Sequence, residues 1–330
     1  MSAVTPGPEA SRPYISIILT GRNDDFGGNF NTRLFRALEF NHRHLTARGI
    51  SHEFVFAEWR PLPDKPWLAE VLLDRYPEMV PHQLNAFVAD LAYHDAYSLN
   101  PKLQFQEFIA KNVAMRRCRG SFILTTNTDV YLGRHVLDEL EKQQLEPGVV
   151  YRAPRIDLKD EVDCDPMVWE VLEDEQNYIE INEIKPPCYT NASGDFILLD
   201  RDSYFAVRGF NEVYRVSKVH MDSNFCLKAY SYGLTFHPYD GPVYHVGSGT
   251  LNSQRPLYAA RPADAPWGNA RWKRSVIYEN GEGWGLWGAP TREVRPGLVY
   301  LDFDWAVVPP LVDLRRLVLP VSRVGLPAIP

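Results

Sequence analysis

The chain has 330 residues, enough for one large domain or two smaller ones, with 45% hydrophobic and 23% charged residues, the balance of an ordinary soluble globular protein. Its formal net charge of -7, with no long run of one sign, argues against non-specific nucleic-acid binding while leaving room for a local basic pocket. No stretch approaches the ~20 apolar residues that span a bilayer, nothing near the start reads as a leader, and Cys118, Cys164, Cys188 and Cys226 have neither CxxC nor zinc spacing; the expectation is a cytoplasmic protein with reduced thiols.

Residues 1–13 are rich in Pro, Ser and Ala and read as a disordered tail. Residues 14–20, YISIILT, are a nearly continuous β-prone run, the pattern of a strand buried on both faces of a parallel sheet. The run ends at Gly21-Arg22-Asn23-Asp24-Asp25, and Gly21, Gly27 and Gly28 predict a loop over a ligand rather than a dinucleotide fingerprint. Leu34, Phe35, Leu38 and Leu45 share one face of a helix over about 31–47, which Gly49 stops. Residues 53–57 predict a second strand with Glu58 at its tip, so this opening reads as a right-handed nucleotide-binding half.

Six prolines between 61 and 101 limit the next stretch to short helices, one around 67–73 and one over 84–91. Tyr93, His94, Asp95 and Tyr97 carry no recognisable motif. A helix over 103–117 leads through Gly120 into the strand 122–124 and the triplet Asn127-Thr128-Asp129. A carboxylate at the carboxyl end of a buried strand is where open α/β sheets place their ligand crevice, and it suggests an anionic ligand carried with a divalent cation. Taken alone, the triplet reads equally well as an ordinary strand-end turn. Lys111, Arg116 and Arg117 add positive charge nearby.

A helix over 134–143 and a strand over 148–154 follow, then an acidic segment, 157–183, that reads as irregular with one short helix. A buried strand begins at Gly194-Asp195, and a short helix then delivers a Gly turn anchored by Phe210. Asp222 opens a helix over 223–232 that Gly233 stops; an Asp in that first turn serves equally as a helix cap or as a proton acceptor. A strand over 234–238 and the short element 243–247, which carries His245, complete this half, with Ser248-Gly249-Thr250 as a hinge behind it. Beyond 250 the chain changes character: Trp267, Trp272, Trp284 and Trp287 lie among Gly and Pro before an apolar tail around 307–321, suited to packing, acceptor or subunit contacts.

Several of these segments, in this order, carry a resemblance. Ala110, Asn112, Gly120 and Phe122-Ile123 with Asn127-x-Asp129, then Gly194 to Phe205 with Gly209-Phe210-Asn211-Glu212, then Met221-Asp222 with Lys228 and Gly233, and finally His245, resemble the large family 2-like group of GT-A glycosyltransferases. The likeness covers about 14–247. Lys111 stands for the usual Arg, Asn127 for the first Asp of the DxD motif, Arg208 for a Gly and Met221 for a Glu.

The resemblance implies an α/β GT-A fold, an α/β/α sandwich with a mostly parallel central sheet. It makes 14–250 the catalytic domain and 251–330 a C-terminal extension. It implies a cation, Mn²⁺ or Mg²⁺, held by Asp129 and His245, with the imidazole favouring Mn²⁺. It implies a nucleotide-sugar donor, a UDP-sugar by analogy at Glu58, contacted by Thr20, Arg22, Glu58, Lys111, Asn112, Asn127, Thr128 and Asp195. Asp222 would be the base of an inverting transfer of a hexosyl or N-acetylhexosaminyl group to a glycan, lipid-linked or small-molecule acceptor hydroxyl. A retaining enzyme, a sugar nucleotidyltransferase and a catalytically silent binding protein are the alternatives.

Overall fold

The computed structural model describes residues 12–246 and 277–311, except 102, 160, 161, 163–165, 214 and 216–219. The readings for the tail, the 248–250 hinge, Trp267, Trp272 and the segment beyond 311 therefore lie outside the described residues, as does Cys164. Among the described residues no helix is long and apolar enough to cross a membrane. Cys118, Cys188 and Cys226 are free and buried, and burial pushes their thiols up to about 12, 11 and 12, which removes thiolate chemistry.

In chain order the elements are β1 (Ile15–Gly21), α1 (Phe30–Ala47), β2 (His52–Trp59), α2 (Leu68–Arg75), β3 (Leu84–Ala89), α3 (Leu91–Tyr97), α4 (Glu107–Met115), β4 (Phe122–Thr125), β5 (Val130–Leu132), α5 (Arg134–Glu141), β6 (Val149–Arg152), β7 (Arg155–Leu158), α6 (Trp169–Leu172), β8 (Tyr178–Asn182), β9 (Ile197–Asp200), α7 (Arg201–Val207), α8 (Met221–Ser231), β10 (Thr235–Pro238), β11 (Val243–Val246), β12 (Thr291–Arg295) and β13 (Leu298–Leu301). The main sheet has nine strands in the order β10-β6-β9-β4-β1-β2-β3-β13-β12, and a second sheet has the order β5-β11-β7-β8. β1 pairs in parallel with both β2 and β4. The antiparallel β9 lies between β4 and β6, so β6 runs with β4. The result is the expected α/β fold with a mostly parallel central sheet, and the carboxyl ends of β1, β2, β4 and β6 all point to one edge.

Packing fixes that edge. β1 and β2 are buried along their whole lengths, as continuous apolar runs require. Inside them the Ser16 hydroxyl donates to Glu53 at 2.6 Å and accepts from the Gly120 N–H at 2.7 Å, while Glu53 also accepts from the Arg119 N–H. The turn into β4 is thereby clamped to β1. A Cβ at residue 120 would run into the Ser16 backbone, so only glycine allows this approach.

Three expectations change. Residues 84–91 are not a helix: Leu84, Ala86 and Val88 alternate inward along β3, because a place between β2 and β13 imposes the two-residue period of a strand on a run that fits either template. The segment 157–183 is not irregular: its two ends pair as β7 and β8 of the second sheet. The stretch after 250 is not all appended to the outside, since β13 pairs in parallel with β3 and carries β12 on its far side. The sheet thus continues across the boundary expected at 250.

Candidate active site

The loop after β4 delivers Asp129, the first helical turn of α1 delivers Arg33, and β11 delivers His245; all three are buried. Asn41 of α1 accepts from the Leu132 N–H at 2.9 Å and donates to the Val130 carbonyl at 2.8 Å, which holds β5, and with it Asp129, against the helix. Arg33 Nη1 is ion-paired with Asp129 Oδ2. Its Nε donates to Asn29 at 2.9 Å and its Nη2 to the Phe26 carbonyl at 2.8 Å, so the same side chain closes the glycine loop over the acid. His245 Nε2 stands 3.3 Å from the other oxygen of Asp129, and its Nδ1 stands 3.0 Å from Asp157 on β7.

A chain of polar contacts leads on from there. Asp157 accepts from Arg155 and Asn182, each at 2.8 Å. Arg155 also pairs with Asp195, which accepts from Asn127 Nδ2 at 2.6 Å. Asn127 Oδ1 in turn accepts from Lys111 at 3.1 Å, and Lys111 is held by Glu107 at 2.9 Å and by the Gly194 carbonyl at 3.1 Å. Asn127 is therefore no solvated turn residue.

Electrostatics follow from this packing. Burial alone would raise the Asp129 carboxyl and lower the His245 imidazole; facing each other, with Arg33 and Asp157 beside them, they reverse both trends. Asp129 is held well below the usual carboxylate range and His245 up at about 10.

Arg33, Asp129 and His245 line a cavity of about 120 Å³ together with Thr20, Gly21, Arg22, Asp24, Asn127 and Thr128 and with Phe26, Phe30, Gln104, Phe105 and Glu107; Lys111 and Asp195 stand behind this lining. Whole small-molecule sites run from about 300 to 1,000 Å³, so a nucleotide-sized ligand would extend beyond its mouth.

A divalent cation is the group the resemblance implies here. Among the described residues no three His, Cys, Asp or Glu side chains are arranged to hold a metal ion, so the candidate donors are the pair Asp129 and His245. Those two fit: adjacent ligands of an octahedral ion at ~2.1 Å stand about 3 Å apart, close to the 3.3 Å between Asp129 and His245. The Asp157 carboxylate behind Nδ1 also orients the ring as it does in many metal sites; Nε2 would ligate a cation after giving up the proton it holds toward Asp129.

The other expected residues fall differently. Glu58 is fully buried and absent from the cavity wall; its Oε2 accepts from the Ala69 N–H at 2.8 Å in the first turn of α2, and Oε1 has no partner. Burial, only partly offset by that N–H, pushes it up to about 7. Asn112 is also removed from the cavity. Its amide is spent on Phe210, donating to the carbonyl at 2.8 Å and accepting from the N–H at 2.8 Å, and on Glu212 at 2.9 Å. Asp222 lines no part of the cavity; it accepts from the Ser193 hydroxyl at 2.9 Å and the Gly194 N–H at 2.7 Å. His220, not Asp222, is the helix cap.

Arg33, Asp157, Arg155 and Glu107 were missed from the sequence. A signal existed for two of them. A cation opposes the dipole in the first turn of α1, which holds no acid, and so needs a carboxylate from elsewhere. An acid in the middle of a buried strand, as Asp157 is, needs a cation.

No family model matches the chain, and no curated protein matches it. Among solved structures it is similar to GalNAc-T7 with UDP, GalNAc and Mn²⁺, at 10% identity over 72% of this chain and 45% of that one, TM-score 0.46. It is also similar to S. aureus TarS 1–349, at 15% identity over 79% and 69%, TM-score 0.44. A third is the catalytic domain of Drosophila beta1,4galactosyltransferase 7 in complex with xylobiose, at 10% identity over 89% and 96%, TM-score 0.44. The chain thus spans less than half the length of the GalNAc-T7 chain it matches.

Proposed function

We propose that this chain is a GT-A glycosyltransferase that moves a sugar from a nucleotide-diphosphate donor, a UDP-sugar, to an acceptor hydroxyl. The observation that carries the reading is the meeting of Asp129 and His245, from distant parts of the chain, at 3.3 Å in the wall of a cavity at the carboxyl edge of the sheet. Asp129 and His245 are the residues to hold Mn²⁺ or Mg²⁺, which when bound supplies positive charge to the departing diphosphate. Arg33 brings a second cation to the phosphate side, pre-oriented by Asn29 and the Phe26 carbonyl. Asp157 fixes the His245 ring, and Arg22, Thr20 and Thr128 complete the phosphate and ribose wall.

Asn127 and Asp195, bonded to each other and braced by Lys111 and Arg155, present their remaining lone pairs and protons to ribose and sugar hydroxyls. Asp222 removes the acceptor proton as the acceptor oxygen attacks, which inverts the anomeric centre; the Gly194 N–H and Ser193 hydroxyl position it. Thermal shift with UDP, with and without Mn²⁺, tests the assignment. Stabilisation that needs the metal and is lost in Asp129→Asn is expected; indifference to every nucleoside diphosphate would remove the reading, and UDP stabilisation without metal would shift the cationic role to Arg33. The anomeric configuration of the product, read by NMR, separates inversion from retention.

A further inference from the structure

A second cavity, of about 320 Å³, opens at the far end of the main sheet and shares no residue with the first. Its floor is the edge pair β6 and β10, where His237 stands opposite Tyr151 in the parallel register and Thr235 opposite Val149. The rings of Tyr151, His237 and Tyr239 pack as one aromatic cluster whose exposed member is His237: centroids lie 5.5 Å apart for Tyr151 with His237, 5.5 Å for Tyr151 with Tyr239 and 5.9 Å for His237 with Tyr239. Opposite them stand Glu139 at the end of α5 and Gln144 and Glu146 in the loop before β6. The Tyr239 hydroxyl behind these rings is buried and has no hydrogen-bond partner among the described residues.

The chemistry narrows the occupant. The lining contains two carboxylates and no Lys or Arg, and Lys142 beside it is already bonded to Glu139 at 2.6 Å, so an anion is repelled. A wholly apolar ligand would cover the exposed Gln144 and Glu146 and the Glu139–Lys142 pair without offering any of them a hydrogen bond. A neutral ring with C–H faces for the exposed His237 ring and hydroxyls for carboxylates and an amide meets both demands.

We propose that this cavity is a second binding site, taking a neutral saccharide and holding a glycan away from the transfer site. The proposal rests on the glycosyltransferase reading only for its purpose, not for its chemistry. The full chain is probed by saturation-transfer NMR with cellobiose, lactose, maltose and chitobiose, and with choline as an organic cation. Transfer to at least one disaccharide is expected, weakened about tenfold, the loss of one ring contact, in His237→Ala and, through filling of the cavity, in Thr235→Trp.

Both substitutions are at exposed positions, so an unchanged Tm keeps a loss of signal interpretable. Asp129→Asn is expected to leave the signal intact. Silence from every disaccharide, survival of the signal in both cavity variants, its disappearance in Asp129→Asn, or choline outbinding every disaccharide would each overturn the proposal. The UDP and Mn²⁺ thermal shift reads the transfer site separately, so either conclusion can fall while the other stands.

Discussion

At the scale of single residues, Asp157 and Glu58 carry the sharpest consequences. Asp157 touches no cavity, yet it orients His245 through Nδ1. Asp157→Asn is expected to weaken Mn²⁺ binding about 10- to 100-fold, the usual cost of losing such a partner, with UDP affinity in the absence of metal little changed; calorimetric titration with each ligand separates the two. Glu58 predicts a pH effect. Its folded pKa of about 7 lies above the unfolded 4.5, so between those values this carboxyl holds more proton in the folded chain and its contribution to stability falls as pH rises. The fall approaches about 3 kcal/mol across the window, and Glu58→Gln is expected to remove it from urea midpoints measured between pH 4.5 and 7. His44, His52 and His94, which burial pushes down to about 4, 4 and 3, add stability as pH rises through the same window, so Glu58 is read from the difference between the two proteins; a midpoint difference that does not change with pH would contradict the burial argument.

At the scale of elements, the turn after α7 shows how the site is braced from behind. Arg208 takes a left-handed conformation with φ 57°, where the resemblance leads one to expect glycine, and Gly209 follows it with φ 62°. A side chain at 209 would strike the Asn112 amide and the Trp284 ring, so Gly209→Ala is expected to cost about 3 kcal/mol in chemical denaturation, by strain and by prying Asn112 from Phe210. Asn112 illustrates what a motif conveys and what it hides. Its place in a family motif was legible; its bonds to the later Gly-Phe segment, and so its use as an internal brace, needed the third dimension. The strands with continuous apolar runs, β1 and β2, were legible for the same reason they are buried. β3, β7 and β8 were not, because short runs such as LNAFVA or RIDL fit more than one period, and only their neighbours in the sheet decide. Arg33 and Asp157 stayed hidden because their partners are remote in sequence.

For the whole molecule, the continuous sheet sets the limits of any dissection. Leu298 and Leu301 are fully buried, and β13 covers the edge that β3 would otherwise expose. A chain ended at residue 290 is therefore expected to aggregate or to bind a hydrophobic dye strongly, because an uncovered apolar strand edge templates pairing between molecules; a soluble monomer with full helicity by circular dichroism would show that β12 and β13 are dispensable.

The run of bonds from Glu107 through Lys111, Asn127, Asp195, Arg155 and Asp157 to His245 alternates donors with acceptors. In such a relay no link is exchanged in isolation, because removing one strands the charge of the next in a dry interior. Anyone seeking to retune ligand preference here would have to replace neighbours two at a time, and homologues that diverged would carry their changes as matched couples along the same line.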